Sequence, residues 1–216
     1  MTAWLKFHYP VEFMCAILNA SELDRISLAV KECSTMGVSV ISPDINRSEM
    51  QFSDYNGKIL YGLAAIKGIS SASMQEMIEE RKKGKFQNYC DLLARVSIGK
   101  ADMEKLIVSG ALDKCGFSRT ALKNAILPAF AIKNKYIKDY TTEEICRKLK
   151  EEISLSQSSD KENWLLQLNE EKELLGAYIS GHPLEQFKLL KADKSITPLS
   201  HAEAENPQIY MGVISN

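Results

Sequence analysis

The sequence has 216 residues, 45% hydrophobic and 25% charged, an ordinary globular composition for one large or two small domains. No run approaches the roughly 18 apolar residues of a membrane span, the start MTAWLKFHYPVEF has no signal-peptide pattern, and five scattered cysteines without CxxC or Cys/His spacing exclude a zinc set or disulfide framework and point to buried thiols in the cytoplasm. The net charge of −1 hides an asymmetry: residues 58–125 hold 12 basic and 7 acidic side chains, while the segments on either side are each net −3, so a nucleic-acid contact is expected in the middle third, a solvated helical face being the alternative.

In chain order, Ala3–Phe7 reads as the tail of a helix, with Trp4 and Phe7 lacking anything upstream to pack on, so the chain is expected to be cut at its start. Pro10 suits the first turn of a helix over Val11–Leu18, with Val11, Met14, Cys15 and Leu18 on one face. Ser21 is expected to begin the next helix with Asp24 as a capping-box-like acid, Leu23, Ile26, Val30 and Cys33 as its apolar face, and Gly37 as its stop. Val38–Ile41 reads as a strand. Gln51–Tyr55 and Lys58–Tyr61 read as two more, joined by Asn56-Gly57, the type I′ signal. His8 and His182 stand at breaks with no acid or cysteine at ligand spacing and are read as structural.

Leu60–Arg81 is the organising stretch: a short helix apolar at Leu63, Ala64 and Ile66, a turn at Lys67-Gly68-Ile69-Ser70, and a second helix showing Met74, Met77 and Ile78 on one face. This is the outline of a helix-hairpin-helix. Gly68 supplies the backbone freedom of the turn. The amides of Gly68, Ile69 and Ser70, with Ser71 next to them, would face outward at a helix start, where unpaired N–H groups and a partial positive charge suit a phosphate. Lys67 stands beside them, and Lys82 and Lys83 open a basic turn. Ser70 can either compete for the same amides as an N-cap or donate its hydroxyl to the phosphate. The alternative is a core turn with Gly68 as a plain C-cap.

Tyr89–Val96 and Lys100–Val108 are further helices, the latter with Met103, Leu106 and Ile107 inward. Ser109-Gly110 then turns the chain and Ser118 caps a helix to Leu127, so 100–127 repeats the helix–turn–helix order of 60–83. Ser109 and Gly110 are the weaker phosphate candidates, because Asp113 is unfavourable nearby. Pro128–Tyr140 is poorly patterned, Thr141 with Glu144 caps a helix to about Ile153, and Ser154–Asp160 reads as a linker. Glu162–Ile179 is a helix whose Glu170–Glu173 run is placed on the exposed side, Ser180–Pro183 is a break, and Leu184–Leu190 is a short helix. Gln208–Ile214 reads as a strand without a partner, as if the chain stopped inside another domain. No Ser/His/Asp order, phosphate loop or HExxH is present, and no catalytic or metal-binding residue is assigned; a glycosylase-type reading would need Asp91 or Asp113 in a pocket.

WLKFHYPVEFMCAILN, PDIN with LYGLAAIKG, LIVSGALDKCGFSR and LLGAYISGHPLEQF occur in that order, and together they resemble the bacterial DNA polymerase III alpha subunit family, the C-family replicative polymerases. The resemblance covers about residues 1–190. It implies a mainly α fold with a small β element: the end of the fingers with a small β element over 1–57, a tandem helix-hairpin-helix module over 58–127, a linker and helix over 128–160, a helical connector over 161–200, and the start of an incomplete OB-like domain over 201–216. It implies contacts with duplex DNA behind the active site, with the remainder of the polymerase, and with other replisome subunits. The family's palm, with its catalytic carboxylates and Mg2+, would precede Met1, so this piece is not expected to polymerise DNA alone or to need a cofactor. Two departures stand out. Ser70 replaces the family's usual glycine, and Gln157 lacks the following Phe of a sliding-clamp peptide. A protein–protein scaffold in the replisome and a truncated remnant are the alternative readings.

Overall fold

The computed structural model describes residues 2–136, 144, 147, 151, 164–183, 196–198 and 209–211. The chain forms two units, Met1–Ser180 and Gly181–Asn216.

The first unit opens with helices α1 (Thr2–His8), α2 (Pro10–Ala20) and α3 (Ile26–Thr35). Pro10 occupies the first turn of α2, where its missing N–H is no loss. Met14 and Leu18 of α2 and Ile26, Ala29 and Cys33 of α3 enter the core. α1 buries nothing. The expectation that Ser21 starts α3 is corrected. Its hydroxyl donates backwards to the Ile17 carbonyl at 2.7 Å, closing α2, and α3 begins only at Ile26 without a side-chain cap. Leu23 is therefore left in the connection and exposed. α3 ends as the sequence predicts, in a Schellman arrangement: Gly37 N donates to Ser34 O (3.1 Å) and Val38 N to Cys33 O (2.9 Å).

A three-stranded sheet follows: β1 (Val40–Ile41), β2 (Ser53–Tyr55) and β3 (Lys58–Leu60), in the order β1-β3-β2. β1 runs parallel to β3 with Val40 opposite Ile59, and β2 antiparallel to β3 with Tyr55 opposite Lys58. Asn56 and Gly57 both have positive φ, 54° and 74°, as a type I′ turn requires. Asp54 fixes this turn by accepting from the Gly57 amide at 3.0 Å. Ile59 and Leu60 point into the core and lead the chain directly into the first hairpin.

The hairpin consists of a 3₁₀ turn (Leu63–Ala65), a loop, and α4 (Ser71–Lys82). The first arm is thus one tight turn rather than an α-helix; Leu63 and Ile66 are buried and Ala64 faces out. Met74, Met77 and Ile78 line the buried side of α4 as their spacing predicts. α5 (Tyr89–Arg95) is capped by Asn88, which accepts from Asp91 N at 3.1 Å. α6 (Lys100–Val108) buries Met103, Leu106 and Ile107.

α7 runs from Arg119 to Tyr136, capped at its start by Ser118, which accepts from Ala121 N. It passes through Pro128 instead of ending at Leu127. Proline removes one backbone donor from a helix interior. Here Ala125, Ala129 and Phe130 are packed into the core on both sides of it, and Lys133 donates to the Val96 carbonyl at 2.7 Å. α8 (Trp164–Leu175) ends at Gly176 (φ 79°), earlier than Ile179. The Thr141 helix and the Ser154–Asp160 linker lie outside the described residues, except that Glu144, Arg147 and Glu151 are helical.

In the second unit the strand expected over Gln208–Ile214 appears as β5 (Ile209–Met211). It is not alone. It pairs in parallel with β4 (Ile196–Pro198), with Thr197 opposite Tyr210. The helix expected over Leu184–Leu190 lies outside the described residues.

Candidate nucleic-acid interface

The first hairpin's turn is held from three sides. From behind, the Lys67 amide donates to Leu174 O at 3.3 Å, and the buried Tyr61 hydroxyl donates to Leu175 O at 2.7 Å, so the end of α8 anchors both flanks of the 3₁₀ turn. From below, Ile69 is buried in the core. From the side, α6 contributes two charged groups one helical turn apart. Lys105 Nζ donates to the Gly68 carbonyl. Asp102 Oδ2 accepts from the Ser70 amide at 3.3 Å and from Ser73 Oγ at 2.9 Å.

Gly68 has φ 74°, the left-handed conformation that favours glycine, and a Cβ there would sit 3.0 Å from Lys105 Nζ. The Gly68 and Ile69 amides have no acceptor among the described residues. Lys67, Gly68, Ser70 and Ser71 are exposed, and Lys67 has no ion-pair partner among the described residues. Next to the start of the twelve-residue α4 the turn thus holds two N–H groups without an acceptor among the described residues, with the exposed Lys67 beside them. Ser70 is the N-cap residue of α4, but its side chain makes no capping bond; Asp102 takes its amide instead. Lys82 and Lys83 lie at the other end of α4, each paired with a glutamate one turn back: Lys82 with Glu79 at 2.6 Å, and Lys83 with Glu80. Such pairs are worth little, and both lysine side chains stay exposed, at 63% and 72%, within reach of a further anion.

The second turn is built differently. Ser109 is fully buried, and its hydroxyl donates to Leu106 O at 3.0 Å. Gly110 (φ 80°) lies directly under Arg119, whose Nη2 would be 2.4 Å from an added Cβ. Arg119 binds Asp113 through two nitrogens (2.8 and 2.6 Å), the Val108 carbonyl (3.1 Å) and Glu171 (2.8 Å). Burial pulls the guanidinium pKa down, and the bonds and charges of the two carboxylates more than reverse this, leaving it raised. Ser109 and Gly110 are thus inside the molecule, beneath an acid–base network.

Glu171 corrects another expectation. Instead of facing solvent it is wholly buried; besides Arg119 it accepts from Ile179 N at 2.8 Å and from Ser180 N at 2.7 Å. Glu170 meets Lys123 at 2.7 Å. The sequence reading assigns no role to Asp102 or Lys105. The signal lies in the spacing: at i, i+3 they share one flank of the Met103/Leu106/Ile107 face, where side chains meet whatever packs beside that face.

A helix-hairpin-helix motif family matches residues 37–122, a span that holds both turns. The chain is 36% identical over 200 residues to the DNA polymerase III subunit alpha of Escherichia coli K12, covering 86% of this chain and 17% of that protein. It is 33% identical over 232 residues to that of Treponema pallidum, covering 99% and 20%, and 34% identical over 200 residues to that of Vibrio cholerae, covering 86% and 17%. The chain thus spans about a fifth of the length of the curated relatives it matches. Over most of its own length it is a homologue of the DNA polymerase III alpha subunit, with a helix-hairpin-helix region at its centre.

Proposed function

We propose that this chain is a non-catalytic part of a cytoplasmic bacterial replicative DNA polymerase and that its first hairpin binds the backbone of duplex DNA without regard to sequence. The observation that carries the reading is the exposed turn at Gly68, whose Gly68 and Ile69 amides have no acceptor among the described residues, inside the matched helix-hairpin-helix span. A phosphate oxygen accepts from those amides while Lys67 approaches as a counter-charge, with Ser70 and Ser71 flanking and Lys82 and Lys83 adding long-range attraction. Phosphates carry no base information, so unrelated sequences bind alike. Ser109 and Gly110 take no part, because Ser109 is buried and Gly110 lies under Arg119. Magnesium belongs to the palm of the full polymerase; binding here needs no metal and survives EDTA.

Fluorescence anisotropy with duplexes of unrelated sequence, across a salt series, tests the reading. The expected result is equal affinity for all duplexes, a steep loss with salt, and failure of the folded variant carrying Lys67→Glu and Ser70→Asp. Binding unchanged in that variant would overturn it.

A second reading, a protein contact within the replisome, is favoured by α1. Trp4 is 56% and Phe7 81% exposed, and both rings lie against His8, with ring centroids 4.6 and 5.0 Å away. The partners in that reading are the remainder of the polymerase or other replisome subunits. Gln157, where a sliding-clamp peptide would begin, lies outside the described residues.

A further inference from the structure

A carboxylate and a phosphate are recognised by the same groups, namely N–H donors at a helix start and neighbouring hydroxyls. Asp102 already uses both kinds of donor, the Ser70 amide and the Ser73 hydroxyl, at the mouth of the turn assigned to DNA. Asp102 has no ion-pair partner among the described residues, and Lys105, one turn further along α6, is turned to the Gly68 carbonyl. An incoming phosphate therefore meets a Ser70 amide that is occupied and a carboxylate that no cation pairs with among the described residues.

We propose that Asp102 is a built-in competitor for the phosphate at the first turn, an autoinhibitory contact that lowers the affinity of this hairpin for DNA. The proposal rests on the reading of that turn as the DNA contact. α6 also contributes Lys105, so the helix that supplies the competitor holds the turn in shape with its next charged residue. Displacing the carboxylate then costs two hydrogen bonds, from the Ser70 amide and the Ser73 hydroxyl, while the bond from Lys105 to the Gly68 carbonyl stays in place. Ser73 sets how firmly the carboxylate is held, because it is the closer of the two donors.

The test compares the parent chain, Asp102→Asn and Ser73→Ala by anisotropy with one fluorescent duplex at low salt, after thermal unfolding has shown each variant folded. Asparagine keeps the shape and an acceptor oxygen but removes the charge. Asp102→Asn is expected to bind about fivefold tighter, the effect of deleting one like charge at roughly 4 Å in a water-like dielectric. Ser73→Ala is expected to gain less in the same direction, and Lys67→Glu added to Asp102→Asn to abolish the gain. A silent parent with a binding Asp102→Asn variant would also support the proposal, as complete occlusion. Binding by the parent that is equal or weaker in a folded Asp102→Asn variant overturns the proposal alone and makes Asp102 a positioning residue. Absence of binding in every chain overturns it together with the reading of the turn.

Discussion

Arg119 and Glu171 meet at 2.8 Å across 52 residues of chain, and the glutamate side chain has no exposed surface. The pair fastens α8 to the second turn, and through the Ile179 and Ser180 amides it also shapes the loop that follows α8. Deleting one partner of a buried pair strands the other's charge. Glu171→Ala is expected to destabilise the chain by about 3 kcal/mol, the low end for a broken buried pair because Arg119 keeps Asp113. Urea unfolding measures this; a loss below about 1 kcal/mol would mean the pair contributes no more than a surface one.

Gly110→Ala disturbs the same network from beneath. The φ of 80° opposes any side chain, and the new methyl would press on an Arg119 held by four hydrogen bonds. A loss of about 2–4 kcal/mol is expected, from left-handed strain plus overpacking. The same substitution at Gly116, where φ is 84° but nothing lies within 4 Å, should show the strain alone and serves as the control.

Tyr89 is fully buried and its hydroxyl has no hydrogen-bond partner among the described residues. A buried unsatisfied hydroxyl costs about 1–3 kcal/mol. Tyr89→Phe removes that cost and leaves the ring packing, so the variant should be about 1 kcal/mol more stable in urea. A clear loss of stability would reveal a bond to the hydroxyl.

Two cysteines make stability depend on pH. Burial pushes the Cys33 thiol up to about 11, with Glu32 adding to the shift, and burial with the charges of Asp44 and Asp113 pushes Cys115 up to about 11. Between the ordinary 9.0 and about 11 the unfolded chain has lost these protons and the folded chain has kept them. The stability they contribute is fully present below the lower value and is lost as pH rises through the window. The difference in unfolding free energy between the parent and a Cys33→Ala, Cys115→Ala variant should therefore move against the parent between pH 9 and pH 11; a constant difference would contradict the shifts.

What the sequence conveys well is whatever one segment decides alone. Asn56-Gly57 demands positive φ at two adjacent residues, and the structure has it. The spacing of Met74, Met77 and Ile78 selects one face of α4, and that face is buried. A residue whose role depends on a distant neighbour is hidden from such a reading. Glu171 sits in a run of charges and reads as solvated until Arg119 arrives from α7. Ser21 is a local ambiguity instead: its hydroxyl can cap forward or bond back four residues to Ile17, and the segment alone does not choose between them. Pro128 reads as a stop because the packing of Ala129 and Phe130, which carries α7 through it, is tertiary. In the candidate site the turn was legible from Gly68, while its lateral brace, Asp102 and Lys105, was not, since it comes from a helix some thirty residues further on.

The bonds from Tyr61 to Leu175 and from Lys67 to Leu174 also set an order of events during synthesis. The ribosome delivers the chain N-terminus first, and contacts distant in sequence close last. The Gly68 turn can collapse onto its own core as soon as α4 is made, but its rear anchor exists only after residue 175 has emerged. A nascent chain stalled before α8 would carry the hairpin braced by α6 but open at the rear, and closing that anchor would be the last step in fixing the turn.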